Sequence, residues 1–201
     1  MAKRYLKTLL TPSVQAAQRQ YYGRHAAIDD APERDLLTSE EQAFIEARDS
    51  FYMATVTEDG WPYLQHRGGL PGFLRVLSAS QLVFADYKGN RQMLSTGNLA
   101  VNDRVSLFLM DYPNRERLKI LGHAQIKDAR EHPALVQQLA EPEAHAFVER
   151  LCFIDILSYD WNCPKYITPR FTAAEVEMMV APLRQHIAEL EGQLGKPEPA
   201  G

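Results

Sequence analysis

Seven consecutive residues, Asp86 to Gln92, combine two cations (Lys88, Arg91), two side-chain amides (Asn90, Gln92) and a glycine. An apolar, β-rich run from Gln81 to Ala85 leads into them, and a segment of helical character from Gln92 to Ala100 follows. The pattern predicts a basic turn between a strand and a helix start. Such a turn is suited to an anion, above all a phosphate. Its backbone N–H groups lack helical partners, the positive end of the helix dipole adds to them, and Lys and Arg supply full charge. A second basic stretch, His66-Arg67-Gly68, ends another predicted strand. Arg67, Lys88, Asn90 and Arg91, with Asn98 closing the helix, are therefore the candidate phosphate ligands. The alternative is a set of solvated surface charges. The two readings differ in whether the strand ends meet at one end of the fold.

Other chemistries are less well supported. The segment from Asp160 to Lys165 sets Trp161 and Asn162 beside a cation. Trp161 could stack on a flat heterocycle and Asn162 hydrogen-bond to its edge, or Trp161 could be a buried anchor for its own loop. There is no GxSxG, and Cys163 has no sequence-level partner, so a hydrolytic nucleophile is not expected. No GxGxxG follows a strand, and Gly68 to Gly72 has the wrong pattern for a dinucleotide fold. The six histidines show no ligand spacing and no metal site is expected. Cys152 and Cys163 match neither a disulfide framework nor a zinc knuckle. A net charge of −4 and a pI near 5.9 oppose a protein that coats nucleic acid. No apolar stretch is long enough to span a membrane and the first residues lack a signal-peptide core, which makes the cytoplasm the expected location.

The elements that must position these residues change in character along the chain. Residues 1–50 read as a helical extension, with Thr11-Pro12 opening one helix that ends at Gly23 and Thr38/Glu41 forming the capping box of another. From Phe51 the period shifts to that of strands: 51–57, 61–67, 73–77 and 82–85, then the inserted helix, then 104–110 and 117–126. Short strands joined by tight turns predict an antiparallel meander, and six of them with one helix suit a small closed barrel. A helix from about Glu131 through Leu139 and a last strand, Leu151 to Leu157, follow. Thr172 with Glu175 caps a terminal helix whose apolar positions, from Val176 to Leu194, keep spacings of three and four. Pro182 should kink or restart it. Gly195 to Gly201 is expected to be a disordered tail. The domain reading is thus 1–50, 51–170 and 171–201.

The runs Gln65 to Phe73, Phe84 to Gln92, Ser95 to Leu99, Val105 to Leu109 and Arg117 to Gly122 resemble the FMN-binding split-barrel superfamily of pyridoxamine 5′-phosphate oxidase. The nearest subgroup is that of flavin-nucleotide-binding proteins related to that oxidase. The resemblance implies a six-stranded antiparallel split β-barrel with helical extensions, a homodimer, and FMN in a groove between the two barrels. It implies that Arg67 and Lys88 to Arg91 hold the FMN phosphate, and that His66, Gly68 and the strand ending at Asp86 line the ribityl chain and ring edge. Gln92, Asn98 and Arg117 would contact flavin or the facing subunit, and Trp161 and Asn162 would cover the ring. The implied activity is flavin-dependent oxidation or reduction of a small molecule; the alternative is a flavin or haem carrier without turnover. The segment Asp160 to Arg170 departs from the oxidase pattern and a further helix follows it, so oxidation of pyridoxamine phosphate itself is not implied. No residue stands out as a catalytic acid or base.

Overall fold

The computed structural model describes residues 3–161 and 163–194. Asn162 and the expected tail, residues 195–201, lie outside them. Three helices open the chain: α1 (Lys3–Leu9), α2 (Pro12–Tyr22) and α3 (Ser39–Glu46). The caps are those the residues demand. Thr11 accepts the Val14 N–H and Gly23 takes the left-handed conformation that ends α2. Thr38 and Glu41 form the full capping box of α3. Four strands follow, β1 (Ser50–Val56), β2 (Pro62–Gly68), β3 (Arg75–Ser78) and β4 (Gln81–Tyr87), then α4 (Leu94–Val101), β5 (Arg104–Asp111) and β6 (Glu116–Asp128). A 3₁₀ turn at Ala129–Glu131, α5 (Pro133–Leu139) and a second 3₁₀ turn at Pro142–Phe147 lead to β7 (Val148–Trp161). The chain then passes to α6 (Ala173–Leu194).

The seven strands form one antiparallel sheet in the order β2-β1-β5-β6-β7-β4-β3. The sheet has two edge strands and is not closed by backbone pairing among the described residues. It is the split-barrel class with one more strand than the expected six. The last strand is also twice as long as the sequence suggested: it runs from Val148 to Trp161 and pairs with β6 and β4 at once, so its residues alternate between two ladders. The polar, aromatic stretch Tyr159 to Trp161, expected in a loop, ends that strand opposite Leu118 to Ile120. Its pairing with β6 overrides its loop-like composition.

Alternation sets the core. On β1 the residues Phe51, Met53 and Thr55 are buried, and on β5 Val105, Leu107, Leu109 and Asp111. These positions share the inner face with Leu118 and Ile120 of β6 and Ile154 and Ile156 of β7. The sheet curls until its ends touch through side chains: the Phe51 ring meets Phe84 of β4 edge-on at 5.5 Å and stacks on Phe73 at 5.6 Å. Phe44 and Ile45 of α3 are buried in this same core, so α3 is built into the barrel rather than laid over it. A smaller apolar cluster, Val83, Ala85, Leu151 and Phe153 with Val136 and Leu139, seats α5 on the outer face of β4 and β7. Gly122 sits at a bulge where β6 meets β7. A Cβ there would lie 2.6 Å from the Asp155 carbonyl, so only glycine allows the strands to approach. α6 runs through Pro182 as one helix rather than restarting, and none of its residues is buried. No helix among the described residues is long and apolar enough to cross a membrane.

Candidate functional site

The helix expected from Gln92 begins only at Leu94. The delay is local chemistry. Asn90 Oδ1 accepts the Gln92 N–H at 3.1 Å, an Asx turn that competes with helix formation. Arg91 and Met93 then both take positive φ, 63° and 57°. Met93 is the N-cap of α4 and supplies no side-chain hydrogen bond. The first N–H groups of α4 therefore lack both helical and capping partners, and the helix presents its positive end uncapped.

That end forms one wall of a cleft of about 250 Å³. Asn90, Arg91, Gln92, Met93, Leu94, Ser95 and Thr96 line this side. Tyr63, Gln65 and Arg67 of β2 form the second wall, and Asp86, Glu149 and Arg150 the floor. The two basic stretches of the sequence meet here because the sheet curls. The Arg67 guanidinium donates to Asp86 Oδ1 at 2.8 Å and lies 5.5 Å from the centre of the Phe84 ring. Arg150 donates from Nε to Asp86 Oδ2 at 2.8 Å and from Nη1 to Glu149 at 2.9 Å. Asp86 thus clamps two arginines with its two oxygens. Burial alone would lower the Arg150 pKa, but the hydrogen bonds and charges of Asp86 and Glu149 raise it overall. Arg67 Nε is buried without a protein partner, which leaves a donor in want of an acceptor. Ser95, itself buried, donates to Gln65 Oε1 at 2.9 Å and fixes that amide against α4. Three arginines stand against two carboxylates beside an uncapped helix start, a donor set suited in charge and geometry to a multivalent anion.

Of the residues singled out in the sequence, Arg67, Asp86, Asn90, Arg91 and Gln92 line this cleft. Lys88 does not; its backbone N–H is held by the Phe147 carbonyl. His66 and Gly68 alternate with Arg67 on β2 and so lie on the other face of the sheet, where His66 packs edge-on against Tyr52 at 5.6 Å. Arg117 pairs across the ladder with Met110, one residue out of phase with inward-facing Leu118, and belongs to that same outer face. Asn98 turns to β1, donating to buried Thr55 at 2.9 Å. Trp161 is an anchor between β7 and α3: its indole N–H donates to Glu41 at 2.7 Å and its ring meets Phe44 at 4.7 Å. Asn162 lies outside the described residues. Reading the sequence missed Arg150, Gln65, Ser95 and Glu149 as cleft residues. Gln65 could have been found from its period-two relation to Arg67; Arg150, 64 positions from Asp86, could not.

Cys152 is not an activated nucleophile. It is buried and desolvation pushes its thiol up to about 12. Among the described residues no cluster of His, Cys, Asp and Glu is arranged for a metal.

Residues 37–149, more than half of the chain, match the family described as pyridoxamine 5′-phosphate oxidase. The chain belongs to that family. No curated protein sequence matches it. Among solved structures, a variant of HupZ from Group A Streptococcus superposes with a TM-score of 0.50 at 14% identity, over 63% of this chain and 100% of the other. General stress protein 26 of Bacillus anthracis gives 0.47 at 16% identity, over 66% and 95%. An FMN-binding protein of Syntrophomonas wolfei gives 0.43 at 9%, over 79% and 97%. At these identities the likeness concerns the fold.

Proposed function

We propose that this member of the oxidase family is a cytoplasmic, homodimeric FMN-binding oxidoreductase acting on a small molecule, with the flavin at the junction of two barrels. The observation that carries the reading is the convergence of Arg67, Arg91 and Arg150 on the uncapped start of α4, with the buried Arg67 Nε in want of an acceptor. A phosphomonoester dianion matches that donor set in charge and in the number of acceptor oxygens. Arg67, Arg91 and the first N–H groups of α4 would hold the phosphate, while Gln65, Gln92 and Ser95 would direct the ribityl chain. Bound there, FMN would supply hydride acceptance and donation, the protein contributing anchoring and orientation.

Size supports a second subunit. The cleft of about 250 Å³ is smaller than the roughly 300–1,000 Å³ of sites that enclose a whole ligand. The outer face of β1, β2 and β5 carries Tyr52 and Leu64, 37% and 63% exposed, beside His66. That face would receive the partner barrel and bring His66 and Arg117 toward a shared groove.

The test is direct. Purified protein is incubated with FMN, desalted, and its absorbance between 350 and 500 nm recorded on the scale of roughly one flavin per chain expected of a single site. Retained flavin whose band bleaches anaerobically with a nicotinamide or other donor bears the proposal out. A protein that retains no flavin, or that instead takes up haem with a Soret band, overturns it.

A further inference from the structure

The feature of the molecule that the flavin site does not use is α6. It is 22 residues long, no side chain in it is buried, and six of its large apolar residues, all but Met178 and Met179, nevertheless form one row. Val176, Val180, Leu183, Ile187, Leu190 and Leu194 are separated by four, three, four, three and four positions. That is a strict 3.5-residue repeat over six successive positions, the narrow seam of a two-helix coil rather than the broad face of a helix lying on its own barrel. Leu183, Ile187, Leu190 and Leu194 are 62, 55, 45 and 87% exposed.

We infer that α6 pairs with α6 of a second copy of this chain, parallel and in register. Two features of the sequence select that occupant. In heptad terms the a positions are Val180, Ile187 and Leu194 and the d positions Val176, Leu183 and Leu190; the two central a/d pairs, Val180 with Leu183 and Ile187 with Leu190, set a β-branched residue at a and leucine at d, the combination that favours two parallel strands. The flanking charges select against the reverse orientation. A fully overlapped antiparallel pair would set Arg184 against Arg184 of the other copy and Glu177 against Glu191, like charge against like charge. The parallel pair makes neither clash, and sets His186 of one helix beside Glu191 of the other. Pro182 falls on the side away from the seam, so the ring that removes one helical hydrogen bond does not intrude on the packing. A shifted antiparallel pairing would relieve the charge clash only by giving up seam layers. Three heptads are too short to hold two chains alone, so the helices act as a second fastening for the barrel dimer, which raises their effective concentration. The inference rests on that dimer but not on the flavin.

The experiment uses the full chain with Cys163, the exposed thiol, replaced by serine. Into this background go Leu190→Cys, at a seam position, or Gln185→Cys, on the opposite side of the helix. Both sites are exposed, so neither change disturbs the core. After mild oxidation, non-reducing electrophoresis is expected to show a covalent dimer for Leu190→Cys and monomer for Gln185→Cys. In the parallel register residue 190 meets its own copy; in any antiparallel register that keeps the seam it does not. Sedimentation of the uncrosslinked protein is run alongside. No crosslink at 190, or equal crosslinking at both sites, in a protein that sediments as a dimer overturns the helix pairing while leaving the barrel dimer standing. Sedimentation as a monomer overturns both, and flavin uptake by that monomer would still leave the cofactor reading intact.

Discussion

Asp86 holds the cleft together more than it holds any ligand. Each of its oxygens is taken by a different arginine, Arg67 from β2 and Arg150 from β7, and all three side chains are largely shielded from water. Removing one member of such a network leaves the others as unpaired, partly buried charge, which costs far more than loss of a surface ion pair. Asp86→Ala is expected to lower stability by about 3 kcal/mol, read as a shift in the midpoint of urea unfolding. Arg91, outside that network, has the opposite profile. Arg91 sits in an exposed turn with positive φ, and its loss should leave stability nearly unchanged. If it binds phosphate through a charge-assisted bond, Arg91→Ala weakens FMN binding by about 1.5–3 kcal/mol, roughly 10- to 150-fold in Kd by fluorescence titration. Arg67→Ala should show a similar loss of affinity, and unchanged affinity in both variants would remove the phosphate assignment.

Two elements owe their placement to single residues. Glu41 caps α3 at one oxygen and accepts the Trp161 indole at the other, which ties the end of β7 to the N-terminal helices. Burial alone would raise its pKa, but the hydrogen bonds from Thr38 and Trp161 outweigh burial and depress it. A carboxyl with a depressed folded-state pKa stabilises the fold at pH values above its unfolded pKa, and that contribution is lost as pH falls through the folded value. Glu41→Gln is therefore expected to cost about 1–2 kcal/mol at neutral pH. In thermal melts its difference from the parent should shrink as pH drops below the ordinary carboxylate range. Gly122 plays the matching part in the sheet. An alanine there would press its methyl on the Asp155 backbone, so Gly122→Ala should destabilise by about 1–3 kcal/mol, with amide exchange rising along β6 and β7.

At the scale of the whole molecule the question is what completes an open cleft and an uncovered sheet face. If the partner barrel does both, flavin affinity must depend on protein concentration, falling on dilution below the dimer dissociation constant. Leu64→Asp, on the exposed outer face of β2, should shift the protein toward monomer and weaken FMN retention together, with the far-ultraviolet circular dichroism unchanged. Loss of the dimer with full flavin affinity would place the whole site within one protomer.

Local rules were enough for much of this protein. Thr11, Gly23, Thr38/Glu41 and Thr172/Glu175 marked helix ends because caps are satisfied within three or four residues. The alternation from Phe51 onward marked the strands, and the family resemblance named the split barrel they form. Arg67, Asn90 and Arg91 were legible as candidates from residue type and from their position at strand and helix ends, and all three line one cleft. What the chain could not declare locally was decided by the register and curl of the sheet. Register set Arg150 opposite Asp86, 64 residues away, and turned His66 and Arg117 to the face opposite Arg67, while the curl brought Arg67 of β2 to Asp86 of β4. It also drew Trp161 onto Glu41, 120 residues away. Such pairings depend on register and on which strands become neighbours. Those are set by burying one continuous core, a property of the whole chain rather than of any stretch of it.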